Sequence, residues 1–408
     1  MRWLSLLVTL TLTGTAGAQE WARFRGPNGS GISNATTIPT SWADKDYLWR
    51  VALPGTGHSS PVVWGDRVFV TAGDRSGKRY VLCLDADTGK TLWQKQFAAA
   101  PYKKHQRNSV ATSTPALDAK HLYVAFATPD RVTLMALGHA GDVDWESDLG
   151  PFKSQHGYGV SPIVHDGLVI LPNDQDNGGS ILGIDAETGK PRWTVPRHPK
   201  NATYSTPCVH EPQGRPVEII FTNWQHGVTA IDPKTGKTTW EISVFDVNKQ
   251  ERAIASPVIA GDLVLATCGF VTAQKHFVAV KPPDGKDDRP KEVWRIEKAV
   301  SYLPTPVVKG EFVFLCSELG MATCLRAKTG AVAWQERVGE SFSASPVCVG
   351  DHIYCVGNDG TVVVLAASDR FQVLAKNALG EPTQSTPAIS GGRMFLRTEG
   401  HLMAVGSR

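Results

Sequence analysis

The sequence lacks the short motifs that mark most nucleophilic, phosphate and zinc sites. It contains no GxSxG nucleophile motif and no phosphate-binding loop, and its seven cysteines form no CxxC pair. Lys and Arg total 42 against 39 Asp and Glu, so the formal net charge is only +3. Nucleic-acid binding usually needs a concentrated basic face, which this balance does not indicate. Zinc and nucleic acid are therefore not among the expected ligands.

The N-terminus carries an apolar run that is too short to span a membrane. Arg2 precedes the run Trp3 to Leu12, and small residues at positions 16–18 come before Gln19. This layout is typical of a secretory signal peptide, and we predict residues 1–18 as that peptide, cleaved near Ala18. The cleavage point has no cysteine for a lipid anchor. The mature chain is expected to be periplasmic or secreted, without a transmembrane span.

The cysteines are scattered and odd in number, and most lie inside apolar, strand-like runs. We interpret most of them as buried small hydrophobic residues. Export permits disulfides, so a bridge among the last four stays open, although the connectivity cannot be derived from the sequence. The seven are Cys83, Cys208, Cys268, Cys316, Cys324, Cys348 and Cys355.

What the chain has instead is an internal repeat. The stretch CLDADTGKTLW (83–93) places Asp85 and Asp87 before a glycine, as a calcium loop does. An EF-hand starting at Asp85 would need Asp or Asn at its fifth position and Glu at its twelfth, where this chain has Gly89 and Gln96. Similar stretches recur at 183–193, 230–240 and 324–334. The recurrence indicates architecture rather than a calcium site.

A second mark, Ser-Pro or Thr-Pro, opens a short apolar strand in each repeat unit. Each complete unit reads as four short strands, with a Gly-Asp turn after the first and a TGK turn after the third. Eight such units predict an all-β fold, an eight-bladed β-propeller of four-stranded antiparallel blades. The Ser or Thr positions are Ser60, Thr114, Ser161, Thr206, Ser256, Thr305, Ser345 and Thr386.

The last unit supplies only three strands before the chain ends. The segment DYLWRVAL around Trp49 has the character of the missing fourth strand. We therefore predict that an N-terminal strand completes the eighth blade and closes the ring, which removes an exposed sheet edge. The predicted organisation is a signal peptide at 1–18, an N-terminal extension at 19–41 and one propeller domain at 42–408.

Tryptophan occurs at the equivalent place in the fourth strand of seven blades. Only the seventh blade, with FQVLAKN, lacks it. A ring of equivalent residues indicates a structural role, with each indole packed on a neighbouring blade and its N–H bonded to a carbonyl. These structural residues are Trp49, Trp93, Trp145, Trp193, Trp240, Trp294 and Trp334.

The variable loops predict where a ligand would bind. In antiparallel blades, the loop entering strand one and the loop leaving strand two lie on the same face, opposite the uniform TGK turns. On that face, blades two to five carry basic, histidine, aromatic and amide groups, which suit an anion, a polar peptide or a sugar. The candidate rim residues are Lys103, Lys104, His105, Arg107, His156, Tyr158, Asn173, Asp174, Asp176, Tyr204, Asn223, Trp224, His226 and Arg252.

Other interpretations of these rim residues stay open. They can be ordinary solvated loop residues. His105, His156 and His226 would form a metal site only if three blades bring them together. Asp174 and Asp176 would bind calcium only if their loop folds around it. We predict no metal site and assign no catalytic residue.

The repeat LDADTGKTLW, with the Ser-Pro or Thr-Pro strand before it, resembles the PQQ-like propeller repeat. Quinoprotein alcohol dehydrogenases share this repeat with the lipoprotein subunit of the bacterial outer-membrane β-barrel assembly machine. The segment WARFRGPNGSGIS (21–33) also resembles the opening of secreted PQQ-like propeller proteins of bacteria, especially planctomycetes. The resemblance covers nearly the whole mature chain and implies an exported bacterial propeller.

The chain departs from both groups of relatives in ways that bear on function. A quinoprotein dehydrogenase is expected to have an adjacent cysteine pair and a CxxCH haem-attachment motif, and this chain has neither. It also has no lipid-anchor cysteine, which the lipoprotein relatives lead us to expect. We therefore favour an exported, monomeric, non-catalytic scaffold that presents its rim to a protein or polar ligand, with no cofactor. The alternatives are a PQQ- and calcium-dependent dehydrogenase and a carbohydrate or small-anion binding module.

Overall fold

The structure is a computed structural model that describes residues 20–99, 105, 108–248, 251–270, 274–285, 289–298 and 300–407. The predicted signal peptide and the candidate rim residues Lys103, Lys104 and Arg107 lie outside these residues. No helix in the described part of the chain is long and apolar enough to cross a membrane.

The described residues form eight sheets, and almost all of their secondary structure is β-strand. Two 3₁₀ helices, Pro27–Gly29 and Asp44–Asp46, precede the first blade. The strands of the first half are β1 (Ile32–Ser33), β2 (Trp49–Ala52), β3 (Val62–Trp64), β4 (Arg67–Gly73), β5 (Arg79–Asp85), β6 (Thr91–Phe97), β7 (Ala116–Leu117), β8 (His121–Ala127), β9 (Val132–Gly138), β10 (Val143–Asp148), β11 (Ile163–His165), β12 (Leu168–Pro172), β13 (Gly179–Asp185), β14 (Pro191–Arg197), β15 (Cys208–His210), β16 (Glu218–Asn223), β17 (Gly227–Ile231) and β18 (Thr238–Ile242).

The second half continues the same pattern of four strands per blade. Its strands are β19 (Val258–Ala260), β20 (Leu263–Gly269), β21 (Lys275–Lys281), β22 (Lys291–Ile296), β23 (Val307–Lys309), β24 (Phe312–Cys316), β25 (Met321–Arg326), β26 (Val332–Arg337), β27 (Val347–Val349), β28 (His352–Val356), β29 (Thr361–Ala366), β30 (Val373–Ala378), β31 (Ala388–Ser390), β32 (Arg393–Arg397) and β33 (His401–Gly406).

Blades one to seven consist of four consecutive antiparallel strands each, beginning at β3, β7, β11, β15, β19, β23 and β27. Blade eight combines β31, β32 and β33 with the N-terminal strand β2, whose Trp49 faces Ala404 in the register. The predicted eight-bladed propeller and its closure by an N-terminal strand are therefore confirmed. The short strand β1 adds a fifth, parallel strand to blade seven, with Ile32 opposite Cys348.

Burial along the strands follows from the stacking of the blades. All seven residues of the second strand β8 are buried, because neighbouring blades cover both of its faces. The outer strand β6 instead alternates between exposed and half-buried positions. The hydrophobic core is therefore divided into clusters between adjacent blades, as a ring of stacked sheets requires.

The TGK turn that follows β5 is a structural element. The Asp85 carboxylate accepts hydrogen bonds from the Thr88 hydroxyl, at 2.7 Å, and from the Thr88 N–H, at 2.8 Å. These bonds, the Thr88 hydroxyl bond foremost, hold the pKa of Asp85 below its usual value. Gly89 adopts a φ of 70° in the left-handed region, which glycine tolerates best.

Six of the seven tryptophans of the predicted ring pack on the third-to-fourth-strand turn of the next blade. A Cβ on Gly89, for example, would lie 2.6 Å from the Trp49 ring, so only glycine permits this contact. The predicted indole-to-carbonyl bond is present in six of the seven cases. The bonds are Trp49 to Ala86, Trp93 to His139, Trp145 to Ala186, Trp193 to Pro233, Trp294 to Ala327 and Trp334 to Ser368, at 2.7 to 3.0 Å.

Trp240 is the exception, and the sequence of the next blade explains it. Blade five has KPPDGKDDRP in place of a TGK turn, so Trp240 donates to the Glu218 carboxylate of its own blade, at 3.0 Å. Burial acts to raise the pKa of Glu218, but bonds from His210, Thr239 and Trp240 outweigh it and lower that pKa below 4.5. Blade seven, which lacks the tryptophan, faces the chain ends of blade eight, where no such turn exists.

Candidate binding site at the axial funnel

The eight blades surround a funnel of about 610 Å³ on the variable-loop face. We call this cavity the axial funnel, because every blade contributes to its wall. The contributing positions are the Ser and Thr of the eight Ser/Thr-Pro marks and the residues two positions before them. The first set is Ser60, Thr114, Ser161, Thr206, Ser256, Thr305, Ser345 and Thr386, and the second is His58, Thr112, Gly159, Tyr204, Ile254, Leu303, Ser343 and Gln384.

The Ser and Thr residues of the first set form a belt of hydrogen bonds around the axis. In the belt, the backbone N–H of one blade donates to the hydroxyl oxygen of the next. The bonds run from 60 to 114, 114 to 161, 206 to 256, 256 to 305, 305 to 345 and 345 to 386, at 2.9 to 3.1 Å. Because each of these oxygens already accepts a backbone N–H, the hydroxyl hydrogen remains as a donor.

The N-terminal segment 21–33 crosses the base of the funnel. Phe24 lines the cavity, and the backbone of Trp21 pairs with Val63 of blade one. Asn28 exchanges two hydrogen bonds with the backbone of Val209 in blade four, at 2.7 and 2.8 Å. The segment that resembles the opening of secreted propellers is therefore a floor fixed to opposite sides of the ring.

Arg25 anchors this floor to two further blades. Its guanidinium, which is fully buried, donates to the carbonyls of Thr305 and Pro306 in blade six and of Pro346 in blade seven, at 2.7 to 2.9 Å. It also donates to the carbonyls of Gly29 and Ser30 in its own segment. Burial lowers the pKa of Arg25 to about 9. Five carbonyls, rather than a carboxylate, thus hold this charge.

Histidine and tyrosine rings occupy one side of the funnel. The His105 and His156 ring centroids are 4.4 Å apart, and His156 meets Tyr204 edge-on at 6.3 Å. The Tyr204 hydroxyl is hydrogen-bonded to Ser154. Burial raises the pKa of Tyr204 to about 12, so its hydroxyl stays protonated at neutral pH. This side can hydrogen-bond a ligand and stack against it.

The opposite side combines an ion pair with apolar surface. Glu318 is paired with Lys275 and accepts a bond from the Tyr302 N–H, at 3.1 Å. The ring centroids of Phe270 and Tyr302 are 6.3 Å apart. The side chains of Phe270 and Leu319 are 39% and 54% exposed. The rim beside blades five and six therefore exposes apolar side chains next to a buried ion pair, whereas the rim beside blades two to four is polar.

Only some of the predicted rim residues come together at the funnel. Of those the structure describes, His105, His156 and Tyr204 line it. Tyr158 is buried and packs edge-on against Phe152 at 5.1 Å. Trp224 is also buried, and its indole donates to the Asp246 carbonyl at 2.9 Å. Neither ring is available to a ligand at the rim.

The predicted acidic and amide residues have partners within the fold. Asp174 is fully buried and contacts Arg197 at 3.3 Å, while Asn223 donates to it at 2.8 Å. Asp176 lies 3.6 Å from Arg252. These cations neutralise the two carboxylates that the sequence offered for calcium. Asn173 is buried as well and bonds the Leu149 carbonyl at 3.4 Å.

The three histidines considered for a metal site do not converge. His105 and His156 face each other, but His226 lies by Glu241, at 3.4 Å. Within the described ranges, no group of three or more His, Cys, Asp or Glu side chains has the arrangement of a metal site.

A second cavity of about 530 Å³ lies on the opposite face, where blades four and five have irregular turns. Two of its cations have partners within the fold: Lys281 bonds Asp284 at 2.9 Å, and Arg215 bonds the Pro283 carbonyl. Because two blades rather than eight build it, we regard the axial funnel as the better candidate site.

Comparison with known proteins places the chain in one family. A family profile described as outer membrane protein assembly factor BamB matches residues 34–100 and 77–336, well over half of the chain. BamB of Moranella endobia (strain PCIT) is 23% identical over 371 residues, which cover 85% of this chain and 84% of the relative.

Solved structures share the fold at low sequence identity. BamB from Moraxella catarrhalis superposes with a TM-score of 0.64 at 16% identity, over 88% of this chain and 96% of that one. The quinohemoprotein alcohol dehydrogenase from Comamonas testosteroni gives 0.68 at 15% identity, over 95% and 80%. These likenesses show a common propeller, and the profile match shows the relationship in sequence. The chain therefore belongs to the family described as outer membrane protein assembly factor BamB.

Proposed function

We propose that this chain is an exported, non-catalytic scaffold that binds a protein partner, with a segment of the partner inserted in the axial funnel. The observation that carries the proposal is the form of the cavity, a funnel whose floor is built by the chain's own N-terminal segment. Its 610 Å³ would hold a few side chains, and its volume is in the usual range for ligand sites. The BamB relatives, named as assembly factors, support a protein partner.

The wall of the funnel suits a peptide. Belt hydroxyls and the amides of Asn108, Asn358 and Gln384 can hydrogen-bond backbone groups, and Tyr204 offers a ring to stack on. The exposed Phe270 and Leu319 provide apolar contact at the rim. A polypeptide, with polar backbone and mixed side chains, complements this combination.

The alternative cofactor, PQQ with calcium, fits the described residues poorly. PQQ is a quinone with three carboxylates, yet the described lining residues include no Lys or Arg to pair with them. Glu318, the one carboxylate among them, is already paired with Lys275. We therefore derive no reaction step through this group. Titration of the chain with PQQ and calcium should cause no change in the quinone absorbance. If the chain with PQQ and calcium reduced a redox dye in the presence of an alcohol, the scaffold proposal would be overturned.

Crosslinking tests the site of binding directly. A photoreactive amino acid at Ser343, half-buried in the funnel wall, should crosslink a protein partner in cells. The same substitution at Thr91, exposed at the start of an outer strand, is the control. A partner captured at Thr91 but not at Ser343 would contradict insertion in the funnel.

A blocking variant gives a second test and separates the carbohydrate alternative. Thr112→Trp places a large ring in the funnel wall and should abolish capture of the partner, whereas Thr91→Trp should leave it intact. If Thr112→Trp instead removed binding on a glycan array, with no protein captured by the unmodified chain, the site would be a carbohydrate site.

A further inference from the structure

Two of the seven cysteines face each other across the boundary between blades six and seven. The Cys316 sulfur, at the end of β24, lies 2.9 Å from the Cys355 sulfur in β28. Two non-bonded sulfur atoms do not ordinarily approach so closely. Both residues are in the same buried cluster, with exposures of 2% and 1%. The contact joins two blades that are also held by the belt bond from Thr305 to Ser345 and by the bond from the Trp334 indole to Ser368.

We propose that Cys316 and Cys355 form a disulfide that cross-links blades six and seven. Both are free thiols in the structure, and closing the bond requires the sulfurs to approach by about 0.9 Å, to a bond length of about 2.05 Å. The sequence left a bridge open among four cysteines, and of these four the structure brings the sulfurs of Cys316 and Cys355 into contact. Cys348 is directed to the Gly350 carbonyl, at 3.3 Å, and Cys324 lies on β25, one strand further out than Cys316.

The bond forms by thiol–disulfide exchange with a donor disulfide, either glutathione disulfide or that of a thiol oxidoreductase. The two thiols lose two electrons and two protons, and the donor's disulfide takes them up to become two thiols. An exported chain meets such donors, so the proposal rests on the predicted export. Because both thiols are buried, exchange takes place during folding, before blade seven packs on blade six. The completed bond is then shielded from reductant.

The bond should stabilise the closed ring. It would link residues 39 positions apart and reduce the conformational entropy of the unfolded chain. For a chain of this length, we expect the oxidised form to melt about 5 °C above the reduced form. Cys316→Ser should melt at the same temperature with and without oxidant.

Thiol counting tests the pairing. Reduced, unfolded chain is refolded in a buffer of reduced and oxidised glutathione, denatured without reductant and alkylated. We expect five alkylated cysteines, two that react only after reduction, and a peptide that links Cys316 to Cys355. Cys324→Ser, the matched control, should keep the two protected cysteines, whereas Cys316→Ser should leave none.

A second preparation removes the dependence on refolding. The full chain produced in cells with an oxidising cytoplasm should give the same count without having been unfolded first. Seven free thiols in both preparations, or a bridge that includes Cys324 or Cys348, would overturn the proposal. Either outcome is independent of whether the funnel binds a protein.

Discussion

Replacing Arg25 by Met should loosen the floor of the funnel. The substitution removes a guanidinium that makes five hydrogen bonds to carbonyls, three of them to blades six and seven. Bonds of a charged donor contribute about 1.5 to 3 kcal/mol each, so the five contribute about 8 to 15 kcal/mol. These values already include the desolvation of the donor, which also lowers the pKa of Arg25 to about 9.

The loss should lie below that range, because some of the freed carbonyls can reach water. We expect Arg25→Met to cost about 3 to 5 kcal/mol, which lowers the Tm of a chain of this length by roughly 4 to 6 °C. Arg23→Met is the matched control. Arg23 lies in the same segment and is also buried, but one carbonyl bond, to Pro207, is described for it, so its loss should be about 1 kcal/mol.

The assay is differential scanning calorimetry of both variants, together with limited proteolysis at 25 °C. If the floor detaches before the ring unfolds, Arg25→Met should be cut within 21–33 at a protease concentration that leaves the Arg23 variant intact. Equal Tm values for the two variants, with equal protease resistance, would refute the view that Arg25 fixes the floor to the blades.

Three further outcomes follow from the architecture. Trp93→Phe keeps an aromatic ring but loses its indole bond, so urea unfolding should show a loss of about 1 kcal/mol, and no loss would show that the bond is dispensable. Gly189 and Gly167 have similar φ values, 69° and 72°, but of the two only a Cβ at 189 would meet an indole, at 2.5 Å. Gly189→Ala should therefore be less stable than Gly167→Ala, and equal Tm values would contradict docking of the tryptophan on glycine. Glu218→Gln should lower the Tm at neutral pH, because a depressed pKa stabilises the fold above pH 4.5. The higher Tm of the unmodified chain should disappear as pH falls through the pKa of Glu218 in the folded state. A Tm difference that stays constant with pH would contradict a stabilising role for the Glu218 carboxylate.

The repeat was sufficient to predict the ring, because identical local signals must produce identical blades. Strand content, blade number, closure by β2 and the tryptophan ring all follow from equivalence between units. The two exceptions in the tryptophan ring, Trp240 and the fourth strand of blade seven, are explained by what the next blade offers for docking. Trp240 has no TGK turn to dock on, and blade seven faces chain ends instead of a turn. Both explanations lie in the sequence of the next blade, but they depend on the docking partner of each tryptophan, which only the fold shows.

The site was harder to predict, because loop membership does not say where a side chain lies. Tyr158 and Trp224 belong to variable loops, yet both are buried between blades. Asp174 is in a glycine-rich loop but pairs with Arg197 from the same blade, a contact that depends on the register of β13 and β14. The polar loop residues of this propeller include partners of other residues of the fold as well as residues of the funnel wall, and composition alone does not separate the two.

A simple rule recovers most of the funnel from the sequence. In an extended chain, alternate residues face the same side, so the residue two positions before each Ser/Thr-Pro mark faces the axis along with it. In the structure the eight marked residues are buried and all eight residues two positions earlier are half-buried in the funnel wall. The buried belt is uniform because it joins the blades. The second set, two positions before the marks, differs from blade to blade in size and polarity, with Gly159, Ile254, Tyr204 and Gln384 among its members. This variation is what a selective ligand site requires. Specificity therefore depends on the one set of axial positions that the architecture leaves free to vary.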